Sequence, residues 1–325
     1  MTDSSATPWL QKIRQFTSDD VFRATDLVFA STIVLILALT LLVLVQGSLP
    51  VLNRFGWNFL TGVSWNPVPG REAFGALPYV LGTLVTSLIA ISVGVPISVG
   101  IAIFLSEMSP NKIRGLLSNI VELLAAVPSV IYGLWGLLVF RLWVANYLEV
   151  PLTNSLGTIP AFSGTPFGLD ILTAGLILAI MIIPTVSSIS REVMVAVPGS
   201  QREAAYSLGA TRWEAVRIGV LSYSRSGIFG AAILGLGRAV GETMAVTMVI
   251  GNAIGPSALP TSLLKPGQTM ASLIANEFAE ADPATLHPSA LIGIGLVLLV
   301  FALAINIFAQ FLVWRVLKVR AGAVE

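Results

Sequence analysis

Long apolar runs separated by short polar segments set the pattern of this chain. A helix needs roughly 20 mostly apolar residues to cross a bilayer. Six runs meet that length: Leu27–Leu49, Pro78–Leu105, Ser118–Phe140, Leu169–Ile189, Ser226–Ile250 and Ser289–Trp314. They predict an all-α, polytopic membrane protein with six transmembrane helices. Residues 1–26 then form an N-terminal segment, 27–314 the transmembrane domain and 315–325 a tail. Gly94 and Pro96 in the second run and Pro184 in the fourth predict kinks, tolerated where neighbours satisfy the freed backbone groups. Composition agrees, with 55% hydrophobic and only 11% charged residues. Soluble domains carry about a quarter charged residues.

Charge distribution sets the expected orientation. Thirteen of the 18 Lys and Arg lie in the N-terminal segment, the 106–117 and 190–225 loops and the C-terminus. Four lie in the other three loops, and the last, Arg238, is inside the fifth run. This bias predicts that both termini and the 190–225 loop are cytoplasmic. Trp57, Trp65, Trp143 and Tyr147 in the opposite loops suit the headgroup level. Residues 1–26 mix acids and bases ahead of a run too long for a signal core, so the first run is expected to stay as a permanent span. Within that segment Trp9, Leu10, Ile13 and Phe16 recur at helical spacing between Gln11, Lys12, Arg14 and Gln15. The pattern fits a short helix on the inner membrane surface; a disordered tail is the alternative.

Several chemistries drop out. A net charge of +1 argues against a nucleic-acid partner. With no Cys and one His, there are no disulfides, thiol catalysis or His-based metal clusters. His287 is expected to be an incidental loop residue. No Gly-rich phosphate loop of the Gly-x-x-x-x-Gly-Lys-[Ser/Thr] kind occurs, so the chain shows no means of binding ATP itself.

The 190–225 loop encodes two helices. Pro198-Gly199 breaks the preceding helix, and Ser200 with Glu203 forms a capping-box pattern. A helix follows to about Leu208, Gly209 suits a left-handed stop, and Thr211 with Glu214 opens a second helix. The first is too short to stand alone in water. Ala204 and Ala205 beside Tyr206 and Leu208 make a face for a partner's groove, or for packing on the same protein.

Arg238 sits about 12 residues, roughly 18 Å, from either end of its run. Its side chain cannot snorkel that far, and a central charge costs at least about 2.5–3.5 kcal/mol. It must therefore face other helices or a water-filled path. Glu242 lies one turn on, where a salt bridge within the helix is available. Two readings follow. The pair neutralises itself and serves packing, or Arg238 offers its fork to an oxyanion while Glu242 holds it between passages. Gly237 with Gly241, and Ala231 with Gly235, provide small-residue steps for close helix approach. Ser129, next to Pro128 and near Tyr132 on the third run, is a candidate polar lining. Glu122 lies near that run's inner end, in reach of the interface. In the 251–288 loop the "TMASLIANEF" stretch is expected on the outer surface. Glu277, Glu280 and Asp282 there form either a docking face for a soluble binding protein or a solvated acidic face.

"EAAYSLGA", Glu203 to Ala210, resembles the EAA motif of ABC importer permeases, matching at Glu203, Ala204, Ala205 and Gly209. Further on Leu221 fits, while Gly219 and Ser222 stand where Ile and Pro are usual. "GLGRAVGETMAV" resembles the permease subunit of phosphate ABC transporters, of the PstC kind, as do "GTLVTSLIA", "GIAIFLSE", "ELLAAVPSVIYGLWGL" and "ASLIANEFAEA". The EAA motif is shared across the superfamily; the Arg–Glu stretch with "IANEFAEA" is narrower. The resemblance implies a type I ABC importer permease fold in a bacterial cytoplasmic (inner) membrane. It implies phosphate import without covalent chemistry or a cofactor. The partners it implies are an ATP-binding cassette ATPase docked on Glu203, Ala204, Ala205 and Gly209, a second homologous permease in a heterodimer, an external phosphate-binding protein, and membrane lipid. On this reading Arg238, Glu242 and Ser129 line the substrate pathway. The alternatives are a sulfate or molybdate permease, an ion-coupled transporter in which Glu242 carries protons, and a structural scaffold.

Overall fold

The computed structural model describes residues 8–317. Six helices among them are long and apolar enough to cross a membrane. The first, α1, is continuous over Pro8–Phe55. Its 48 residues measure about 72 Å, more than twice a hydrocarbon core of roughly 30 Å. The Trp9–Phe16 stretch is therefore helical and joined to the span without a break. Its side chains, and the tail after Leu317, lie outside the described part.

The remaining elements are α2 (Leu77–Met108), α3 (Asn111–Ala125), α4 (Ser129–Leu156), α5 (Ile171–Val195), α6 (Gly199–Ser207), α7 (Arg212–Gly241), α8 (Met244–Val249), α9 (Met270–Glu277) and α10 (His287–Leu317). A small hairpin pairs β1 (Trp65–Asn66) with β2 (Ala73–Phe74), Trp65 opposite Phe74.

The third span departs from expectation. Ser118–Phe140 is two helices, because Pro128 has no N–H to give and its ψ of 140° is extended. The span is α4, and it takes in Arg141 and Glu149. Upstream, α3 is a separate amphipathic helix with Leu116 and Leu123 exposed. Glu149 is fully buried, accepting from the Gly168 amide at 3.0 Å and from the Thr173 hydroxyl at 3.4 Å.

At the centre stands α5, the most enclosed span. In lipid, helix association depends on close packing rather than on leaving water. Two glycines permit it. A Cβ on Gly175 would meet Ile89 of α2 at 2.6 Å, and one on Gly94 of α2 would meet Ile182 of α5 at 2.8 Å. Ile177, Met181 and Ile182 of α5 join Ala239 of α7 and Val246 and Val249 of α8 in one buried cluster.

A second core closes the hairpin end. It contains Trp65, Phe74 and Tyr79 together with Met270 and Leu273 of α9. The first half of the "TMASLIANEF" stretch, Thr269 to Leu273, therefore packs inward instead of lying on the surface, while Phe278 at its end stays exposed. Thr269 caps α9, and the Met270 amide donates to the Thr83 hydroxyl at 3.0 Å. Trp65 is a core residue rather than a headgroup anchor, its Nε1 donating to Glu277 Oε2 at 2.7 Å. His287 is no incidental loop residue either. Its Nε2 lies 2.8 Å from Glu277 Oε2 and its ring stacks on Phe74. Glu277 is thus committed inward, while Glu280 and Asp282 are both exposed, Asp282 accepting from the Ala284 amide. Trp57 is exposed just beyond α1, whereas Trp143 and Tyr147, expected in a loop, are exposed residues within α4.

Candidate functional site

Thirty residues of helix, α7, carry Arg238 inward through a π turn at Val216–Leu221. The helix stops at Gly241. Glu242 is extended, with ψ at 129°, and α8 begins at Met244. Arg238 and Glu242 thus do not share one helical face, and the i, i+4 ion pair that an unbroken helix would make available is not formed. A helix start leaves amides without intrahelical partners. Glu242 Oε1 accepts one of them, Ala245 N, at 3.2 Å. Arg238 instead reaches across to α5, where Nη1 donates to Thr185 Oγ1 at 2.9 Å. A guanidinium has five N–H donors, and this bond takes one. Sequence reasoning missed Thr185, since a single Thr in an apolar run carries no signal of its own.

The side of α7 that holds Arg238 is open. Leu234 is 59% exposed. A Cβ on Gly241 would meet nothing within 4 Å, and one on Gly237 only the Asn306 amide at 3.8 Å. The close helix contact comes from the other step: Ala231 is buried and Gly235 presses on Val186 of α5. Ser129 is the first residue of α4 and half-buried. Its helix packs on α8, where a Cβ on Gly133 would meet Ala245 Cα at 2.8 Å. Among the described residues no hydrogen bond joins Ser129 to Arg238 or Glu242. Glu122 ion-pairs with Arg191 at 3.2 Å, tying α3 to α5.

At the other end of α5, the 190–225 loop folds as helix, stop, helix. The helix α6 starts at Gly199 behind Pro198, so Ser200 lies inside it and the first capping box does not form. Gly209 is left-handed, with φ at +81°. Its amide donates to Tyr206 O at 2.9 Å and that of Ala210 to Ala205 O at 3.2 Å, the pair of bonds of a glycine-terminated helix end. The Thr211–Glu214 capping box is complete. Ala205 is buried, whereas Glu203, Ala204, Tyr206 and Leu208 are exposed, Leu208 by 88%. A Cβ on Gly219 would meet Gln201 O at 3.0 Å, so α6 approaches too closely for an Ile there. Behind α6, Arg202 forms a fork with Glu107 of α2 at 2.7 and 3.2 Å. These bonds hold its guanidinium protonated above the ordinary range, against the opposing effect of burial.

Two features stand out, an intramembrane guanidinium and an exposed short helix at the other end of α5. Residues 94–318 match the family described as "Binding-protein-dependent transport system inner membrane component". The chain belongs to this family. The permease is 45% identical to the phosphate transport system permease protein PstC of Haemophilus influenzae, over 91% of this chain and 93% of that one. It is 43% identical to the PstC of Mesorhizobium japonicum, over 96% of this chain and 94% of that one. Among solved structures it resembles a bacterial ABC transporter involved in import of the acidic polysaccharide alginate. The TM-score is 0.54 at 15% identity, over 92% of this chain and 98% of that one. That likeness concerns the fold alone; the family match and the PstC relatives make the chain a multi-pass permease of the inner membrane. The family match spans both Arg238 and α6.

Proposed function

We propose that the permease imports inorganic phosphate, driven by a separate ATPase subunit. The observation that carries this reading is Arg238, a forked cation in the last turn of α7 that reaches the middle of α5, held there by a neutral hydroxyl and not by a carboxylate. Its charge is uncancelled and four of its five donors are available to oxyanion oxygens. The 45% identity to a phosphate permease supports the choice of anion. The basic excess of the loops supports an orientation with both termini and α6 in the cytoplasm. There α6 offers Glu203, Ala204 and its neighbours to a cleft of the ATPase, with Ala205 and Gly209 setting its inner face and its end. A second, homologous permease completes the pathway across the open side of α7. At the outer, hairpin end an external phosphate-binding protein delivers the anion.

In this mechanism the anion meets Arg238 as the two permeases alternate their access. The Thr185 hydroxyl keeps the guanidinium aimed without neutralising it. Glu242, capping α8 nearby, marks the far side of the break and repels an anion onward. Ser129 adds a polar edge at the start of α4. The permease itself makes and breaks no covalent bond.

Vesicles holding the permease, its partner permease and the ATPase decide between this reading and an ion-coupled carrier. With binding protein and phosphate outside, uptake is expected to stop on ATP depletion and to survive an uncoupler. Uptake that ignores ATP and collapses with the uncoupler contradicts the proposal.

A further inference from the structure

We propose that Arg202 is the positioning residue that makes α6 move as one body with the ends of α2 and α5, so that motion imposed on α6 reaches the Arg238 site. The inference rests on the ATPase-docking reading of α6 and adds the device behind that surface.

Arg202 uses its whole fork. Nε donates to Glu107 Oε2 at 3.2 Å and Nη2 to Glu107 Oε1 at 2.7 Å, at the end of α2. The same Nη2 donates to Met194 O at 3.0 Å, and Nη1 to Val197 O at 2.7 Å. Met194 O is in the last turn of α5 and Val197 O lies two residues past its end, where helix acceptors run short of intrahelical donors and the helix dipole is negative. One side chain on α6 therefore ties two spans at once. From α7, Arg212 Nη2 donates to the Glu107 carbonyl, drawing a third span into the same joint. Arg202 and Glu107 side chains are 23% and 11% exposed, so water competes little with the fork. Beneath it Ala102, Met194, Val197 and Val220 pack as an apolar floor contributed by α2, α5 and α7.

The geometry explains why the joint is polar and directional. Apolar contacts slide, whereas a bidentate guanidinium–carboxylate pair fixes distance and angle. The outward face of α6 stays exposed for a partner while its inward face is fastened. From Met194, nine residues along α5, about 14 Å at helical rise, lead to Thr185 and its bond to Arg238. The fastened span is thus the one that holds the pathway cation.

The test is the ratio of phosphate taken up to ATP hydrolysed, in vesicles with the full complex, for wild type, Arg202→Met, Arg202→Lys and Glu107→Gln. The joint predicts that Arg202→Met assembles with the ATPase and hydrolyses ATP while the ratio falls about tenfold, within the usual range of coupling between sites. Arg202→Lys, which keeps the charge and loses the fork, is expected between the two. A ratio equal to wild type overturns the proposal, whether or not uptake and hydrolysis fall together. If Arg202→Met does not assemble, Glu107→Gln decides: it preserves shape and weakens the pair, and the ratio must fall. The wild-type arm separates this inference from the one beneath it. Wild-type vesicles in which ATP hydrolysis drives no uptake overturn the docking reading itself.

Discussion

At the scale of single residues, the account turns on how Arg238 is held. A hydroxyl partner fixes direction and leaves charge, whereas a carboxylate partner cancels it. Thr185→Val removes the hydroxyl at nearly constant volume. A hydrogen bond to a charged group contributes about 1.5–3 kcal/mol, so uptake is expected to drop roughly tenfold with assembly intact. Thr185→Ser restores it; uptake by the Val variant at the wild-type rate contradicts the role. Arg238 and Glu242 were legible in the sequence because a charge inside an apolar run is too costly to leave facing lipid. Their pairing was not. It presumed an unbroken helix, and the break lies at Gly241 and Glu242, where a lone Gly gives a weak stop signal. Ser129 is the first residue of α4, without a hydrogen bond to either charge among the described residues.

Among the elements, α6 and α5 carry the predictions. Gly209 holds a left-handed backbone that L side chains enter at a cost of roughly 1–2 kcal/mol. Gly209→Ala is expected to loosen the end of α6 and lower ATP-driven uptake several-fold, while uptake unaffected by the change contradicts the geometry assigned to α6. At the start of α5, Asp170 Oδ1 accepts from the Thr173 amide at 2.8 Å. Burial first, then the nearby Glu149 carboxylate, push the Asp170 carboxyl up despite that bond. The folded protein therefore holds a proton that the unfolded chain releases, and stability falls as pH rises from the ordinary carboxylate range toward the raised value. Asp170→Asn keeps a capping oxygen and is expected to flatten that fall in thermal melts across the acidic range. An unchanged slope contradicts the assignment. The Gly stop and the Thr211 capping box were legible because local chemistry alone determines them. The start of α6 was not, since Pro198 opens the helix before Ser200. The third span was misplaced for a related reason: hydropathy summed over a window is blind to a missing amide at Pro128.

For the whole molecule, the six apolar runs made a membrane fold plain, and the loop charges gave its expected orientation. The closed hairpin end was beyond sequence reading. Trp65 meets Glu277 across 212 residues of sequence and His287 joins the same carboxylate, and nothing local to Trp65 marks them as its neighbours. Their aromatic and acidic character suggested headgroup contact and a docking face; burial assigns them to a core. Another surface without partners among the described residues is α1 from Val21 to Thr40, exposed throughout. From Leu27 on this stretch is predominantly apolar and exposed, which suits lipid or a second permease. That is consistent with a subunit that works only in an assembly.

The most direct test is therefore made on the assembly. Phosphate uptake and ATP hydrolysis are measured together in vesicles containing the complete transporter, for wild type and Arg238→Gln. Gln keeps hydrogen-bonding capacity toward Thr185 and loses the charge. The account predicts that the variant assembles and hydrolyses ATP while uptake falls by about two orders of magnitude, as loss of a buried charge-assisted contact implies. Uptake at the wild-type rate would show that Arg238 serves packing alone and would remove the anion pathway from this site.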